Sequence, residues 1–165
     1  MARRSAKTPQ SRRETSHELA RELGRSCLLF RARALSRKLT SLYDDAVRPL
    51  GLKSTQVNVM TVIGLREGEA RLTTLAQMLS LEPSSLSRIV RVMERNGWVE
   101  SRPDPEDERA RRIRLTDAGV SLYAQAVERW RESQEEARTL LGADGALLFT
   151  QLANDTLFPR APGSV

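Results

Sequence analysis

The segment from Pro83 to Gly97 constrains the fold more than any other part of the sequence. A proline suits the first position of a helix, and Asn-Gly is a common left-handed stop at its end. At about 100° per residue, four apolar side chains share one face: Leu86, Ile89, Val90 and Met93. Five polar side chains fall on the opposite face: Ser84, Ser87, Arg88, Arg91 and Arg95. The segment therefore predicts a helix with one buried face and one basic, exposed face.

This helix is preceded by a shorter helix and followed by a pair of strands. Thr73 is predicted to cap the short helix, which runs to Ser80 and ends in a tight turn. Beyond the Asn-Gly stop, Trp98-Val99 and Ile113 to Leu115 alternate on either side of a Pro-Asp-Pro turn, which predicts a β-hairpin. Two helices around a tight turn, followed by a hairpin, are typical of a winged helix-turn-helix whose second helix enters the DNA major groove. An ordinary amphipathic surface helix is the alternative for this segment taken alone.

Further helices are predicted on both sides of this unit. Their ranges are Leu19 to Val47, Ser54 to Leu65, Thr116-Asp117 through Leu140, and about Ala143 to Leu157. Ser54 and Thr116 are the predicted caps. With about six helices and one hairpin, the chain is predicted to be mainly α, and its 165 residues suffice for one compact domain with an extension.

The positive charge of the chain is concentrated near its start. The net charge is +6, and the first 26 residues hold seven basic and three acidic side chains, a balance of +4. Residues 1 to about 16 show no periodic apolar pattern and are expected to be disordered or loosely attached. Such a basic tail is a solvated arm, or it attracts nucleic acid or anionic lipid without sequence preference.

The inventory of reactive side chains argues against catalysis and metal binding. Cys27 is the single cysteine and His17 the single histidine, so neither an internal disulfide nor a zinc site can form. Without a glycine-rich phosphate loop or another cofactor motif, we expect neither an enzyme nor a cofactor. No run of about 18 apolar residues and no secretory signal occurs, which predicts a cytoplasmic protein without a membrane span.

Three stretches between about Leu39 and Leu152 resemble the MarR-type transcriptional regulators. They are YDDAVRPLGLKSTQ, LTTLAQMLSLEPSSLSRIVRVMERNGWVE and RPDPEDERARRIRLTDAG. The last is similar to the family's wing signature: an acid, any residue and an arginine, before a short basic strand and Leu-Thr-x-x-Gly. The resemblance implies a winged helix-turn-helix over residues 51–116, with dimerisation helices over residues 17–50 and 117–158. It also implies a homodimer that binds a pseudo-palindromic site on double-stranded DNA.

The candidate recognition helix offers two kinds of DNA contact. Short hydroxyls and free backbone amides in its first turn can approach phosphates or base edges closely, and arginines one turn later can reach a guanine edge. The candidate contact residues are Ser84, Ser85, Ser87, Arg88 and Arg91. We expect Arg88 at a base and Ser85 at a phosphate. Glu82 departs from the family's pattern, because an acid before the helix repels phosphate.

The wing offers a second set of contacts. By resemblance, Asp107 and Arg109 match the acid and the arginine of the signature, and Arg109 is expected to enter the minor groove. We expect Asp107 to hold Arg109 by a charge-assisted hydrogen bond, which accounts for negative charge within a basic element. Three arginines of the returning strand are expected to face the DNA backbone: Arg111, Arg112 and Arg114.

Two mechanisms of release from DNA stay open. The resemblance implies a small aromatic or phenolic effector, and its candidate polar partners are Arg33, Arg37, Tyr43 and Gln56. Alternatively, Cys27 senses peroxide as a first-helix cysteine does in some relatives, with Arg25 and Arg31 near enough in sequence to favour a thiolate. Cys27 is otherwise a small residue packed in a dimer interface. A winged helix used for protein contacts or for non-specific DNA binding is a further alternative to a repressor.

Overall fold

The computed structural model describes residues 9–107 and 110–157, with side chains for residues 15–107 and 110–156. Within these ranges the chain forms seven α-helices, a short 3₁₀ helix at Arg48–Leu50 and three β-strands. The helices are α1 (Pro9–Ser26), α2 (Leu28–Val47), α3 (Ser54–Leu65), α4 (Leu72–Met78), α5 (Pro83–Arg95), α6 (Asp117–Leu141) and α7 (Ala143–Leu157). The strands are β1 (Glu69–Arg71), β2 (Val99–Pro103) and β3 (Arg111–Leu115). The predicted mainly helical, winged fold is confirmed, with one helix and one strand more than predicted.

The first compact unit extends to Thr40 and contains α1 and part of α2. The predicted single helix from Leu19 to Val47 is wrong, because α1 already begins at Pro9 and a break at Cys27 separates α1 from α2. A proline in the first turn, followed by straight-chain Gln, Arg and Glu residues, favours helix formation. Residues 9–16 belong to α1, and residues 1–8 lie outside the described part of the chain. The expectation of a loosely attached basic tail stays a prediction.

The break at Cys27 interrupts the helical segment for a single residue. The Cys27 N–H still donates to the Leu23 carbonyl at 3.0 Å, and the Arg31 N–H donates to the Cys27 carbonyl at 3.3 Å. Just before the break, the Ser26 hydroxyl donates to the Glu22 carbonyl at 2.8 Å. A serine bonded in this way competes with the backbone ladder and often bends a helix. The same type of bond occurs inside α3, α5, α6 and α7 without a break, so it does not by itself account for the interruption. Apolar periodicity does not reveal the break.

The second compact unit begins at Ser41, and its core lies behind α5. Its largest fully buried side chains come from α3, α4, α5 and β3: Met60, Ile63, Leu75, Leu86, Met93 and Ile113. The predicted inner face of α5 is confirmed, since three of its four apolar residues are buried and Ile89 is partly buried. Burying each such side chain contributes about 1.5–3 kcal/mol. The apolar face therefore fixes α5 in the fold and leaves its polar face to solvent.

The three strands form one antiparallel sheet with β3 in the centre. Ala70 of β1 and Ser101 of β2 both lie opposite Ile113 of β3. The predicted hairpin of β2 and β3 is confirmed. The sequence does not predict β1, because Glu-Ala-Arg is too short to show a strand alternation.

Two predicted helix ends of the second unit are confirmed. Asn96 is the C-cap of α5, and Gly97 follows in the left-handed region at φ 72°. Thr116 caps α6, and its hydroxyl accepts a hydrogen bond from the Gly119 N–H at 3.0 Å. These ends are specified by residues within the same few positions, which is why local sequence predicts them.

Two other helix starts differ from prediction. Ser54 is the first residue of α3 rather than its cap, and its N–H donates to the Asp44 carboxylate at 2.6 Å. Thr73 lies inside α4 rather than before it, because β1 pairs as far as Arg71 and the helix starts at the next residue. Ser80 lies beyond α4 with a positive φ of 50°. No helix of the described residues is long and apolar enough to span a membrane.

Candidate nucleic-acid interface

The outer face of α5 presents a set of polar side chains without side-chain partners among the described residues. Ser84, Ser85, Arg88, Arg91 and Arg95 are all exposed. The three arginines make no hydrogen bond or ion pair with any other residue that the structure describes. Ser87 is partly buried, and its hydroxyl donates to the Pro83 carbonyl at 2.8 Å. Ser87 can therefore contact a ligand mainly as an acceptor, whereas the other groups are available as donors.

The arginines of the wing, in contrast, are mostly paired with acids. Arg114 donates to Glu100, which lies directly opposite it on β2, and Arg102 lies 2.9 Å from the same carboxylate. Their hydrogen bonds and charges hold the pKa of Glu100 below its ordinary value. Arg111 is exposed, and its guanidinium donates to the Ser101 carbonyl at 2.9 Å.

The prediction that three arginines of β3 face the DNA backbone stays a prediction, and two of the three, Arg112 and Arg114, have acid partners within the wing. Alternation places both on the same face of the sheet, where acids of the neighbouring strands lie within reach. Arg112 donates to Glu69 at 2.6 Å, and Arg114 donates to Glu100. Arg111 is exposed, whereas Arg112 and Arg114 are partly buried.

Asp104 is the centre of the wing's ion-pair network. Its side chain is fully buried, and it accepts four hydrogen bonds: from Arg71 Nε at 2.6 Å and Nη2 at 3.1 Å, from Arg112 Nε at 2.8 Å and from the Glu106 N–H at 2.9 Å. These bonds from Arg71 and Arg112 hold the pKa of Asp104 well below its ordinary range. The carboxylate thus joins β1, β3 and the chain beyond β2. The sequence does not predict this role, because no local signal distinguishes Asp104 from the neighbouring acids.

The predicted pair of Asp107 and Arg109 lies partly outside the described structure. Asp107 is exposed, and its backbone carbonyl accepts from the Ala110 N–H at 2.8 Å. Residues 108 and 109 are not among the described residues. The pairing of Asp107 with Arg109 and the minor-groove role of Arg109 stay predictions.

The Leu-Thr-x-x-Gly stretch joins the end of α5 to the start of α6. The Thr116 hydroxyl donates to the Gly97 carbonyl at 2.6 Å, and the Thr116 N–H donates to the Trp98 carbonyl at 3.1 Å. A Cβ atom on Gly119 would lie 1.9 Å from the same Trp98 oxygen. Thr116 and Gly119 therefore bring the two helices together by hydrogen bonding and by close backbone approach.

The candidate effector residues lie in different surroundings. The Tyr43 hydroxyl donates to Gln134 Oε1 at 2.5 Å, and burial raises the pKa of Tyr43. Gln134 and Arg138 line a cavity of about 680 Å³ between α6 and α7. Gln56 is buried, and its Oε1 accepts from the Lys53 N–H at 2.9 Å, which is a structural role at the start of α3.

The other candidate residues belong to the first unit. Arg33 and Arg37 are exposed on α2, without a hydrogen bond or ion pair to any described residue. Cys27 is partly exposed at the break between α1 and α2. Within the described ranges, no group of three His, Cys, Asp or Glu side chains could hold a metal ion.

The sequence matches known regulators over its central part. Residues 52–110 match the MarR family. The chain is 31% identical over 94 residues to the HTH-type transcriptional regulator PetP of Rhodobacter capsulatus, covering 57% of this chain and 57% of PetP. It is 27% identical over 95 residues to the multiple antibiotic resistance protein MarR of Salmonella typhimurium, covering 58% of this chain and 65% of that protein. The chain thus spans less than two thirds of these two relatives.

Solved structures extend the similarity over most of the chain. The M. tuberculosis transcriptional regulator MosR, crystallised in complex with DNA, is 30% identical with a TM-score of 0.68, over 82% of this chain and 100% of that one. A mutant of E. coli MarR, crystallised with operator DNA, has the same fold at 24% identity and a TM-score of 0.70, over 82% of this chain and 94% of that one. PetP and MosR are both named as transcriptional regulators, in agreement with the prediction that the chain is not an enzyme. The chain therefore belongs to the MarR family of winged helix-turn-helix transcriptional regulators.

Proposed function

We propose that the chain is a homodimeric, sequence-specific DNA-binding repressor whose α5 helix enters the major groove. The observation that carries this proposal is the contrast between the arginines of α5 and those of the wing. Arg88, Arg91 and Arg95 have no partner among the described residues, whereas Arg71, Arg112 and Arg114 are held by acids. Three exposed cations on the outer face of one helix suit an anionic partner. The crystallisation of MosR with DNA supports the same proposal.

Each residue of the interface has a proposed role. Arg88 reads a guanine edge by two hydrogen bonds, and Arg91 contacts a base or a phosphate. Ser84 and Ser85 donate to phosphates at the start of α5, and Ser87 accepts from a base amine. In the wing, Asp107 orients Arg109 toward the minor groove, and Arg111 contacts the DNA backbone.

A binding experiment with matched variants tests this assignment. The operator is first selected from random DNA, and its affinity and that of a scrambled duplex are measured by fluorescence anisotropy. Arg88→Ala should lose about fivefold to 150-fold in discrimination at one base pair of each half-site. Arg131→Ala is the control, because it removes the same charge from an exposed pair with Glu128 on α6.

Two outcomes contradict the proposal in different ways. A preference of wild type for its best site well below roughly 10³ would favour non-specific DNA binding or a protein-contact module. If Arg88→Ala loses the same affinity for operator and for scrambled DNA, Arg88 contacts the DNA backbone rather than a base.

The homodimer is proposed from apolar surface that each unit leaves exposed. On α7 these side chains are Leu147, Leu148, Phe149 and Leu152, and near the start of α2 they are Leu28, Leu29 and Phe30. Exposed apolar patches of this kind are typical of protein interfaces. Light scattering should find a dimer for wild type and a monomer for a Leu148→Asp, Leu152→Asp double variant. An unchanged dimer mass would place the interface elsewhere.

We propose an aromatic carboxylate as the effector, bound in the cavity between α6 and α7. Its volume of about 680 Å³ lies in the range of small-molecule sites, and it combines apolar Leu147 with the cation of Arg138. Tyr43 reaches the cavity wall through its hydrogen bond to Gln134. A tenfold release from DNA requires about 1.4 kcal/mol of differential binding between the two states.

A panel of phenolic acids, added to the operator complex, tests the effector proposal. The active compound should lose potency with Arg138→Gln and retain it with Arg129→Gln, a change of equal charge elsewhere on α6. Equal potency on both variants would place the effector outside this cavity.

A further inference from the structure

Three arginines from three parts of the chain line one open cavity at the base of the wing. Arg66 follows α3, Arg71 ends β1 and Arg112 belongs to β3, and the cavity has a volume of about 250 Å³. Thr74 of α4 adds a hydroxyl to its wall, and Glu69 adds a carboxylate. Three guanidinium groups and a hydroxyl at one cavity are donors that suit an oxyanion.

Two of these guanidinium groups are fixed in direction by the buried carboxylate of Asp104. Arg71 donates hydrogen bonds from Nε and Nη2 to Asp104. Arg112 donates from Nε to Asp104 and from Nη1 to Glu69. A guanidinium has five N–H donors, so each arginine retains others. Arg71 Nη1 and Arg112 Nη2 have no hydrogen-bond acceptor among the described residues. These donors are therefore both oriented and available.

Glu106 contacts the same two arginines, but in a very different environment. Its carboxylate lies 2.7 Å from Arg71 Nη2 and 3.7 Å from Arg112 Nη2, while its side chain is 75% exposed. The Asp104 side chain is 0% exposed. An ion pair as open to solvent as that of Glu106 contributes little to stability and is screened by salt. Asp104 is thus the buried partner of the two arginines, and Glu106 is the solvent-exposed one.

We propose that Arg66, Arg71, Thr74 and Arg112 form a phosphate-binding site, and that the Glu106 carboxylate competes with phosphate for the same guanidinium donors. Glu69 occupies Arg112 Nη1, so the phosphate binds toward Arg66 and Arg71. When the phosphate belongs to a DNA backbone, this inference rests on the proposed function. A free phosphate-bearing ligand is the other source of the same group.

Competition of this kind gives the acidic residue Glu106 a role in a wing that is otherwise rich in arginine. A phosphate that binds Arg71 meets the Glu106 carboxylate on the same guanidinium, and this competition lowers the attraction of the wing to any phosphate chain. Discrimination then depends more on α5, because the wing contributes less sequence-independent affinity.

The first test measures DNA affinity of Glu106→Gln against salt concentration. The variant should bind both operator and scrambled DNA about twofold to fivefold more tightly at low salt. The slope of log K against log salt should steepen by about 0.9, the value for one added phosphate contact. The control is Glu128→Gln, which removes one exposed acid from α6. An equal gain with Glu128→Gln, or no gain with Glu106→Gln, would overturn the proposal.

A second variant and a phosphate titration identify the site and its ligand. Adding Arg71→Gln to Glu106→Gln should abolish the gain, and persistence of the gain would place the contact elsewhere. NMR of the arginine Nε–H groups reports the source: Arg71 and Arg112 signals that shift in inorganic phosphate indicate a free ligand, and signals that shift only with DNA indicate the backbone. Signals that move with neither would overturn the site. Failure of wild type to bind any DNA would reject the proposed function, and the titration with inorganic phosphate would still test this site.

Discussion

The Trp98 carbonyl oxygen lies 1.9 Å from the position that a Cβ atom on Gly119 would take. The neighbouring atom is backbone and also accepts a hydrogen bond from Thr116, so it cannot move without disturbing the start of α6. Gly119→Ala should therefore destabilise the fold by about 3 kcal/mol, the upper range for overpacking, as measured by denaturant unfolding.

Gly64→Ala is the matched control for this prediction. Gly64 lies in α3, and a Cβ atom there would meet nothing within 4 Å. Since alanine favours a helix over glycine, the control should stabilise the protein by about 0.5–1 kcal/mol. Similar destabilisation by both variants would mean that the close approach at Gly119 is not the cause.

Asp104→Asn should lower the melting temperature at neutral pH, because it removes the buried charge that accepts hydrogen bonds from the guanidinium groups of Arg71 and Arg112. The pKa of Asp104 is lowered in the folded state. Its contribution is therefore fully present above the unfolded pKa of about 3.9 and is lost as pH falls through the lower folded pKa. The difference in melting temperature between wild type and variant should accordingly shrink below about pH 4.

Asp45→Asn is the control for the acid titration, because Asp45 is an exposed acid paired with Arg48 three residues away. Its melting temperature should stay close to that of wild type across the pH range. The difference in melting temperature between wild type and Asp104→Asn could instead stay constant down to pH 2. This result would show that the variant is destabilised by its changed side-chain shape rather than by the lost charge.

Ser80→Gly should stabilise the turn between α4 and α5. Ser80 has a φ of 50°, in a region that costs a residue with a Cβ about 1 kcal/mol and that glycine adopts readily. We expect a gain of about 0.5–1 kcal/mol in the free energy of unfolding. Ser85→Gly, inside α5, should instead cost about 0.5 kcal/mol. A loss of stability from Ser80→Gly would contradict this explanation.

Cys27→Ser tests the alternative of peroxide sensing. Cys27 is partly exposed and is the single cysteine, so oxidation would produce a sulfenic acid or a bond between two chains. If Cys27 is the sensor, hydroperoxide should release wild type from its operator and leave the Cys27→Ser complex unchanged. An equal response of both proteins would exclude the cysteine and leave a small-molecule effector as the remaining mechanism.

The sequence predicted those features whose causes lie within a few residues. The start and stop of α5 follow from Pro83 and Asn96-Gly97, and its two faces follow from the period of the helix. The Thr116 cap and the β2–β3 hairpin have equally local signals. One long first helix was a wrong prediction, because apolar periodicity does not register the polar helix α1 or the break at Cys27.

The tertiary structure alone decided which charges of the wing are available. Asp104 and Arg71 are 33 residues apart in sequence, and Arg112 and Glu69 are 43 apart. Their pairing depends on the unpredicted strand β1, which brings Glu69 and Arg71 beside β3. By its own pattern, the sequence determined a helix with an exposed arginine face and a wing rich in both charges. In the folded chain, Asp104 is buried between two arginines, while Glu106 is exposed beside the same arginines. The sequence does not show this difference, because burial and ion-pair partners depend on residues that only folding brings together.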